Sequence, residues 1–318
     1  MIREFRESDA TAVAEIALAV NPHQIETAEL IRQRVLQAPA QARRRDWVVE
    51  LDGAVVAHAH AGFEWSVPTP GKGRFWVGVL PDRRGLGIGA GLYERVDEYL
   101  QAEGAWRLRT WVDDDAGAER FLAARGFERV GADRMSDLDP RSVDLSELPA
   151  LEASCADNGF RLATLAETLG RVRDLFEIAK AGAIDMPSDE PQTAFNFEGW
   201  QWDELEHPNL SKEGSFVVLA GERPVSLGFL TVDFERRVAY NQLTATLPAF
   251  RRRGLALLVK LASARWAAEQ GIERLMTEND AENERMLALN DRLGYRPLYD
   301  QTFWALELEG KRPSREGG

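Results

Sequence analysis

The stretch "RRGLGIGAGL", residues 83 to 92, runs out of the apolar segment "RFWVGVLP" (74 to 81) and straight into a helical pattern. It sets glycines at alternate positions, 85, 87 and 89, behind two arginines. Glycine admits left-handed backbone and lets another group approach without meeting a Cβ atom. A second stretch, "RRRGLALLVK" (251 to 260), has the same form. Whatever the first loop does, the chain attempts it twice.

Shifting the sequence by 167 aligns the two halves. Leu80 falls on Leu247, Pro81 on Pro248, Arg84 on Arg251 and Gly87 on Gly254, while Gly89 falls on Ala256. The same shift puts Gly104 on Gly271 and Thr110 on Thr277, and one further residue brings Gly126 onto Gly294. A register held over some fifty residues, at a period far beyond that of a solenoid, marks a duplicated domain. The segment "SDLDPRSVDLSELPA" (136 to 150) is polar, carries two prolines and reads as the connection. The expected division is 1–140 and 156–310, with a linker over 141–155 and a tail over 311–318.

Within each unit the pattern is strand, helix, strands, helix, strand, helix, strand. "WVVELDGAVVAHAHAGF" (47 to 63) reads as two strands around "LDG", and "FVVLAGERPVSLGFLTV" (216 to 232) as two around "AGERP". Ile88, Leu92, Val96, Tyr99 and Leu100 share one helical face, and Leu255, Leu258, Leu261 and Ala262 repeat the stripe. The expected fold class is α/β, with an α+β mixed sheet, in two tandem copies.

Composition bounds the rest. A chain of 318 residues, 44% of them apolar, suits two ordinary cores. No run approaches the ~18 apolar residues of a membrane span, and charge from the third residue onward argues against a signal peptide. The single cysteine, Cys155, excludes an internal disulfide framework and cysteine-based zinc sites. A cytoplasmic protein with no membrane partner is expected. The net charge of −13 disfavours nucleic-acid phosphates. The same acidity either draws in a cationic substrate or simply keeps the surface soluble.

Four unpaired N–H groups open every helix, and the macrodipole adds partial positive charge there. Gly85, Gly87 and Gly89 would admit a phosphate to that end, with Arg83 and Arg84 adding charge. Three phosphate motifs compete. A Walker loop needs Gly-Lys-Ser/Thr, which neither loop has. A Rossmann fingerprint follows the first strand of its unit, and these loops follow several. The third pattern fits: Arg84-x-x-Gly87-x-Gly89 and Arg251-x-x-Gly254-x-Ala256 match the R/Q-x-x-G-x-G/A signature of the GNAT acetyltransferase superfamily.

The resemblance extends past the loops. "TENDAENERMLALNDRLGYRP" (277 to 297) is similar to the family's T-x-N segment and following helix, and "AERFLAARGFERVG" (118 to 131) to a shorter form of it. The whole resembles tandem GNAT proteins of mycothiol-synthase-like architecture. What this implies is transfer of the acetyl group of acetyl-CoA to the primary amine of a small molecule, by direct attack in a ternary complex. The strand before each loop would splay from its neighbour and offer backbone N–H groups to the thioester carbonyl. Val79 and Leu80, with Thr246 and Leu247, sit there. The pyrophosphate would lie on Arg84, Gly85, Leu86, Gly87, Ile88 and Gly89, and on Arg251, Arg252, Arg253, Gly254, Leu255 and Ala256. Asn279 and Asn283 would attend the pantetheine arm.

Many members also carry a tyrosine four residues before the glycine of the G-F/Y turn, as the acid toward sulfur. Leu122 and Asn290 stand at those positions. Tyr240 is a distant substitute. For the base, Glu64 and Asp233 follow strand-like runs at matching places, and Glu198 and Glu204 lie in a segment that shapes the family's acceptor site, where they could equally recognise a cationic substrate. His58 and His60 alternate along one strand and read as packing rather than metal ligands, so no metal is expected. Trp65, Trp76, Trp200 and Trp202 read equally as core or as acceptor-pocket walls. The aspartates at 113 to 115 read as a helix start. The second half keeps the asparagines and is the expected catalytic half of a monomer or homodimer. A catalytically silent CoA-binding regulatory or scaffolding protein is the alternative, and a nucleotide-binding oxidoreductase or kinase stands further off.

Overall fold

The structure, a computed structural model, describes residues 1–65, 70–185 and 196–308; the tail read over 311–318 lies outside them. The chain forms two compact units, Met1–Ala132 with Gln301–Gly318, and Asp133–Asp300.

The first unit contains β1 (Ile2–Glu4), α1 (Ala10–Val20), α2 (Ala28–Leu36), β2 (Arg45–Leu51), β3 (Ala54–Phe63), β4 (Lys72–Val79), α3 (Ile88–Ala102), β5 (Arg107–Asp113) and α4 (Ala116–Ala123). The hairpin between β2 and β3 turns on Asp52 and Gly53, both at positive φ, as a two-residue turn compatible with strand twist requires. Its sheet runs β1-β2-β3-β4-β5. One face packs Leu92, Val96 and Leu100 of α3 onto Val49, Phe75 and Leu108. The other carries α1 and α2 through Val13, Ile31 and Val48.

The second unit contains most of β6 (Glu128–Leu138), then α5 (Leu148–Asp157), β7 (Phe160–Thr164), α6 (Val172–Asp185), α7 (Phe197–Trp200), β8 (Phe216–Ala220), β9 (Arg223–Asp233), β10 (Val238–Thr246), α8 (Leu255–Glu269), β11 (Arg274–Asp280), α9 (Glu284–Leu293) and the start of β12 (Arg296–Glu307). Its sheet runs β6-β11-β10-β9-β8-β7. Leu258, Leu261 and Leu275 join one core, while Leu175, Phe176, Trp200 and Phe229 join the other.

Two features depart from the expectation of two cleanly separated halves. Each half hands its last strand on. β6 pairs antiparallel with β11 from Asp133 to Leu138, and β12 pairs antiparallel with β5 from Gln301 to Glu307. The connection, moreover, is not a bare linker, because α5 lies within it. Leu148, Leu151 and Cys155 recur at helical spacing and pack with the α8 core. That cover explains why α8 buries residues all round, Leu257, Val259 and Lys260 as well as the expected stripe.

Candidate functional site

Both glycine loops adopt one conformation. After β4, a 3₁₀ turn over Pro81–Arg83 leads to Gly87, which caps α3 at φ 79°, ψ −3°. After β10, the turn over Pro248–Phe250 leads to Gly254, which caps α8 at φ 77°, ψ 1°. The first helical bond is Gly91 N to Gly87 O at 3.0 Å in one and Leu258 N to Gly254 O at 2.9 Å in the other. The amides of 88 to 90 and of 255 to 257 therefore precede the helical ladder and point out of the helix end. Both loops have the backbone form of an anion cradle, with first-turn amides free of the helical ladder.

The signature arginines do something other than present charge. Arg84 Nε donates to Val79 O at 3.3 Å and Arg251 Nε to Thr246 O at 3.0 Å, so each folds back onto the carbonyl that ends its strand. Arg84 also pairs with Asp115 at 2.9 Å. Leu80 and Leu247 turn the chain out of the strand with matching φ and ψ.

The cradles differ at their rims. Gly85, at φ 78°, is matched by Arg252 at φ 59°, a left-handed position that a side chain adopts at a cost. Around the Cβ position of Gly87 nothing lies within 4 Å, whereas Leu151 Cδ2 comes to 3.2 Å at Gly254. Leu86 stands 66% exposed in the first loop, while its counterpart Arg253 lies 5.8 Å and 5.9 Å from the Phe160 and Phe250 rings. Ile88 is half-buried, and its counterpart Leu255 is 3% exposed. Gly89 and Ala256 occupy the same place in the first turn, both half-buried.

Behind each cradle two parallel strands fork. β4 pairs with β5 only from Lys72↔Arg107 to Arg74↔Arg109, although the strands continue to Val79 and Asp113. β10 pairs with β11 from Val238↔Arg274 to Asn241↔Thr277, although β10 continues to Thr246. Beyond the last rung the facing strand edges no longer satisfy one another, which opens backbone groups to an extended ligand. In the second unit the fork coincides with a bulge, where the β9–β10 register shifts between Asn241 and Leu243.

The two forks are lined by opposite chemistry. In the first, Trp76 lies over Gly78, whose Cβ would come within 2.1 Å of the indole. Trp76 packs with Ile16, Ala17, Leu80 and Trp111, and its ring stacks on His60 with centroids 6.4 Å apart. Burial holds His60 neutral, its pKa well below the usual histidine range. His58 meets Asp46 at 2.9 Å, and Arg44 holds Asp46 through two contacts of 2.8 Å. Burial of Asp46 opposes its ionisation, but Arg44 and His58 more than offset this and hold its carboxyl far below the usual range. The histidines thus belong to a packed ion-pair and aromatic cluster.

In the second fork the first residues past the last rung are Gln242 and Glu278. Glu204 reaches them from the segment after α7, where Gln201–Leu205 forms a π turn. Burial raises its carboxyl to about 8, reinforced by Asp203 and Glu278 and opposed by the Gln242 side chain. Tyr240, on the paired side of the same fork, is 7% exposed. Burial, with Glu278 and Asp133 beside it, drives its hydroxyl well above the usual phenol range. Trp200 is core, stacked on Phe229 and tilted against Phe176. Of these residues Glu204 carries the clearest signal, and its only trace in the sequence is an acidic residue among aromatics.

The other residues expected from the sequence fall elsewhere. Asp233 accepts from Arg236 N at 3.0 Å and closes the β9–β10 turn. That turn adjoins Val238, about 25 Å along β10 from Thr246 at ~3.3 Å per residue. Glu64 lies where β4 begins, 4.0 Å from Arg109, on the paired side of the first fork. Asn283 caps α9 by accepting from Met286 N at 3.3 Å, and Asp115 caps α4 in the same way. Asn279 accepts from Asn290 Nδ2 at 2.6 Å, so the residue in the tyrosine's place bonds across to the strand end.

The family model "Acetyltransferase (GNAT) family" matches residues 9–127 and 173–295. No curated protein sequence matches the chain. Among solved structures, a tandem GNAT protein from the clavulanic acid biosynthesis pathway, without AcCoA, is 20% identical, with 96% of this chain and 98% of that one covered and a TM-score of 0.72. A GCN5-related N-acetyltransferase from Sphaerobacter thermophilus is 18% identical, with coverage of 98% and 96% and a TM-score of 0.64. At such identities the likeness is one of fold.

Proposed function

The chain belongs to the GNAT acetyltransferase family, and we propose that it is an N-acetyltransferase that uses acetyl-CoA to acylate a small primary amine, with the second unit as the catalytic half. The observation that carries this reading is the pairing, in one unit, of a glycine-capped anion cradle with a strand fork whose mouth bears a buried carboxyl. The amides of Leu255, Ala256 and Leu257 would hold the pyrophosphate at the start of α8. The pantetheine arm would lie along the unpaired edges of β10 and β11, bringing the thioester carbonyl to backbone N–H groups near the bulge. The first unit keeps an equally good cradle, but Trp76 fills its fork. We assign it a CoA-binding role without turnover.

Titration calorimetry with acetyl-CoA on Gly89→Asp and Ala256→Asp tests the cradles. Each substitution puts a carboxylate where the pyrophosphate lies, at a first-turn position where helices tolerate acids and where no left-handed backbone is strained. The expected result is two equivalents bound by the wild type and one lost by each variant. An unaltered binding curve for both variants defeats the cradle assignment. The absence of the family tyrosine from both halves, at Leu122 and Asn290, favours one other reading, a silent CoA-binding protein. Silence across a broad amine panel, with acetyl-CoA bound, selects that reading.

A further inference from the structure

Two buried polar atoms at the second fork, Glu204 Oε2 and Tyr240 Oη, have no well-formed hydrogen bond among the described residues, although the Gln242 side chain bears on the Glu204 carboxyl and the Tyr240 hydroxyl faces the Glu278 carboxylate. A buried group left so costs about 1–3 kcal/mol, and native proteins retain few of them. The positions of these two are informative. Tyr240 sits one residue before the last β10–β11 rung, and Glu204 adjoins Gln242, one residue after it. Glu278, the first residue of β11 past the rung, acts on both. The three therefore surround one spot at the vertex of the fork.

The charges acting on that spot have one sign. Asp203 and Glu278 bear on Glu204, and Glu278 and Asp133 bear on Tyr240. Arg134, next along β6, is turned to Asp300 at 3.3 Å. Nor is Glu204 loosely placed. Its π turn is closed by Glu206 N to Gln201 O at 2.8 Å and by the Gln201 side chain on Glu206 at 2.7 Å. Asn196 caps the preceding helix turn through Gly199 N at 2.6 Å. An acidic group on a solvated face has no need of such support. Here one carboxyl oxygen, Glu204 Oε2, and the oxygen of a hydroxyl turned toward Glu278 converge on a place where neither accepts a well-formed hydrogen bond, and an ammonium group supplies three donors.

We infer that the vertex of the second fork receives the primary ammonium of a small acceptor that carries no carboxylate, with Glu204 taking a proton from it and Tyr240 holding the nitrogen through its hydroxyl oxygen. The inference rests on the acyltransferase reading for the chemistry that follows, though not for the binding itself. In that chemistry the ammonium gives one proton to the Glu204 carboxylate, and the freed lone pair forms the N–C bond to the thioester carbonyl carbon. The C–S bond breaks, sulfur leaves with the bonding pair, and the second nitrogen proton passes to the thiolate. The amide keeps the third. A carboxyl lifted to about 8 takes a proton from an ammonium far more readily than an ordinary glutamate does. The neighbouring acids repel an acceptor carboxylate and favour a second positive charge.

The test is calorimetry on the full chain at pH 8.5, with 1,4-diaminobutane, 4-aminobutanoate and acetyl-CoA titrated separately into the wild type, Glu204→Gln and Tyr240→Phe. The expected result is that the diamine binds the wild type, at least tenfold more weakly Glu204→Gln, and several-fold more weakly Tyr240→Phe. 4-Aminobutanoate should bind the wild type at least tenfold more weakly than the diamine, and acetyl-CoA should bind all three proteins alike. Wild-type affinity for the diamine in Glu204→Gln, no diamine binding at all, or equal affinity for 4-aminobutanoate overturns the inference and leaves the acyl-CoA reading intact. If acetyl-CoA fails to bind while the diamine still depends on Glu204, the ammonium site stands and the acyltransferase reading falls.

Discussion

The loops at 83–92 and 251–260 share a backbone, yet the forks behind them have diverged. The first presents an open cradle before a fork closed by Trp76, Trp111 and His60. The second presents a cradle edged by Leu151 before a fork lined with Glu204, Tyr240 and Glu278. The backbone form of a glycine-capped helix start is specified by a few positions and survives duplication. The side chains at the fork are free to change, and they set what chemistry each fork presents.

Glutamine at 204 should produce the largest effect. It removes the proton acceptor without changing shape, and kcat/KM for an amine should fall about 10²-fold. In the wild type the carboxylate is the working form, so kcat/KM should climb as pH rises through about 8 and level off above it. The variant should lose that limb. Stability should show the opposite sign. The folded state keeps a proton that the unfolded state releases above 4.5, so stability falls as pH rises from there to about 8, and Glu204→Gln should flatten this fall.

Gly78→Ala probes the other fork. Its methyl would meet the Trp76 indole, so denaturation should show a loss of roughly 2–3 kcal/mol. Trp76→Leu in the same chain should recover much of that loss. The second unit already carries Ala245 at this place in the repeat, with Leu243 where the first has Trp76.

Lys260 and Tyr93 are also repeat partners, and they predict a gain rather than a loss. Lys260 is 2% exposed, and burial lowers its ammonium to about 7. Its stabilising form is therefore the neutral one, and stability is lost as pH falls from 10.5 to about 7, below which the loss is complete. Lys260→Met should raise stability on the order of 2 kcal/mol at pH 6, with the gain shrinking toward pH 10.5. Thermal unfolding at the two pH values measures it. The smallest effect belongs to Arg252→Gly, which gives the second loop the glycine of the first. Relief of left-handed strain should add about 0.5–1 kcal/mol.

The duplication, the class of fold and both cradles were legible from Arg84-x-x-Gly87 and Arg251-x-x-Gly254, because left-handed glycines at a helix mouth leave a local mark. The β2–β3 turn was legible for the same reason. The exchange of β6 and β12 was not, since two strands descended from one ancestor carry the same alternation and nothing local names a partner. Helix α5 hid behind the prolines and polar residues of its flanks, although Leu148, Leu151 and Cys155 kept the period. Strand-end carboxylates misled for a physical reason: Asp233 closes a turn, which is what an aspartate beside a hairpin commonly does. Glu204 was legible only as one of two acids in an acceptor-shaping segment, and nothing local set it apart from Glu198, because the groups around it, Gln242 and Glu278, lie on strands far along the chain.

The exchanged strands also set an order of synthesis. The second unit is one continuous segment, Asp133–Asp300, while the first waits for the strand that begins near Gln301. Gln301 reaches Asp113 across 188 positions. On the ribosome, therefore, the half made first is finished last, and β5 stays an open edge until the final strand emerges. Exposed edges of that kind recruit other strands, and pairing across so long a separation is slow. Crowded nascent chains of this protein should aggregate through β5, and a truncation before residue 301 should be the insoluble form.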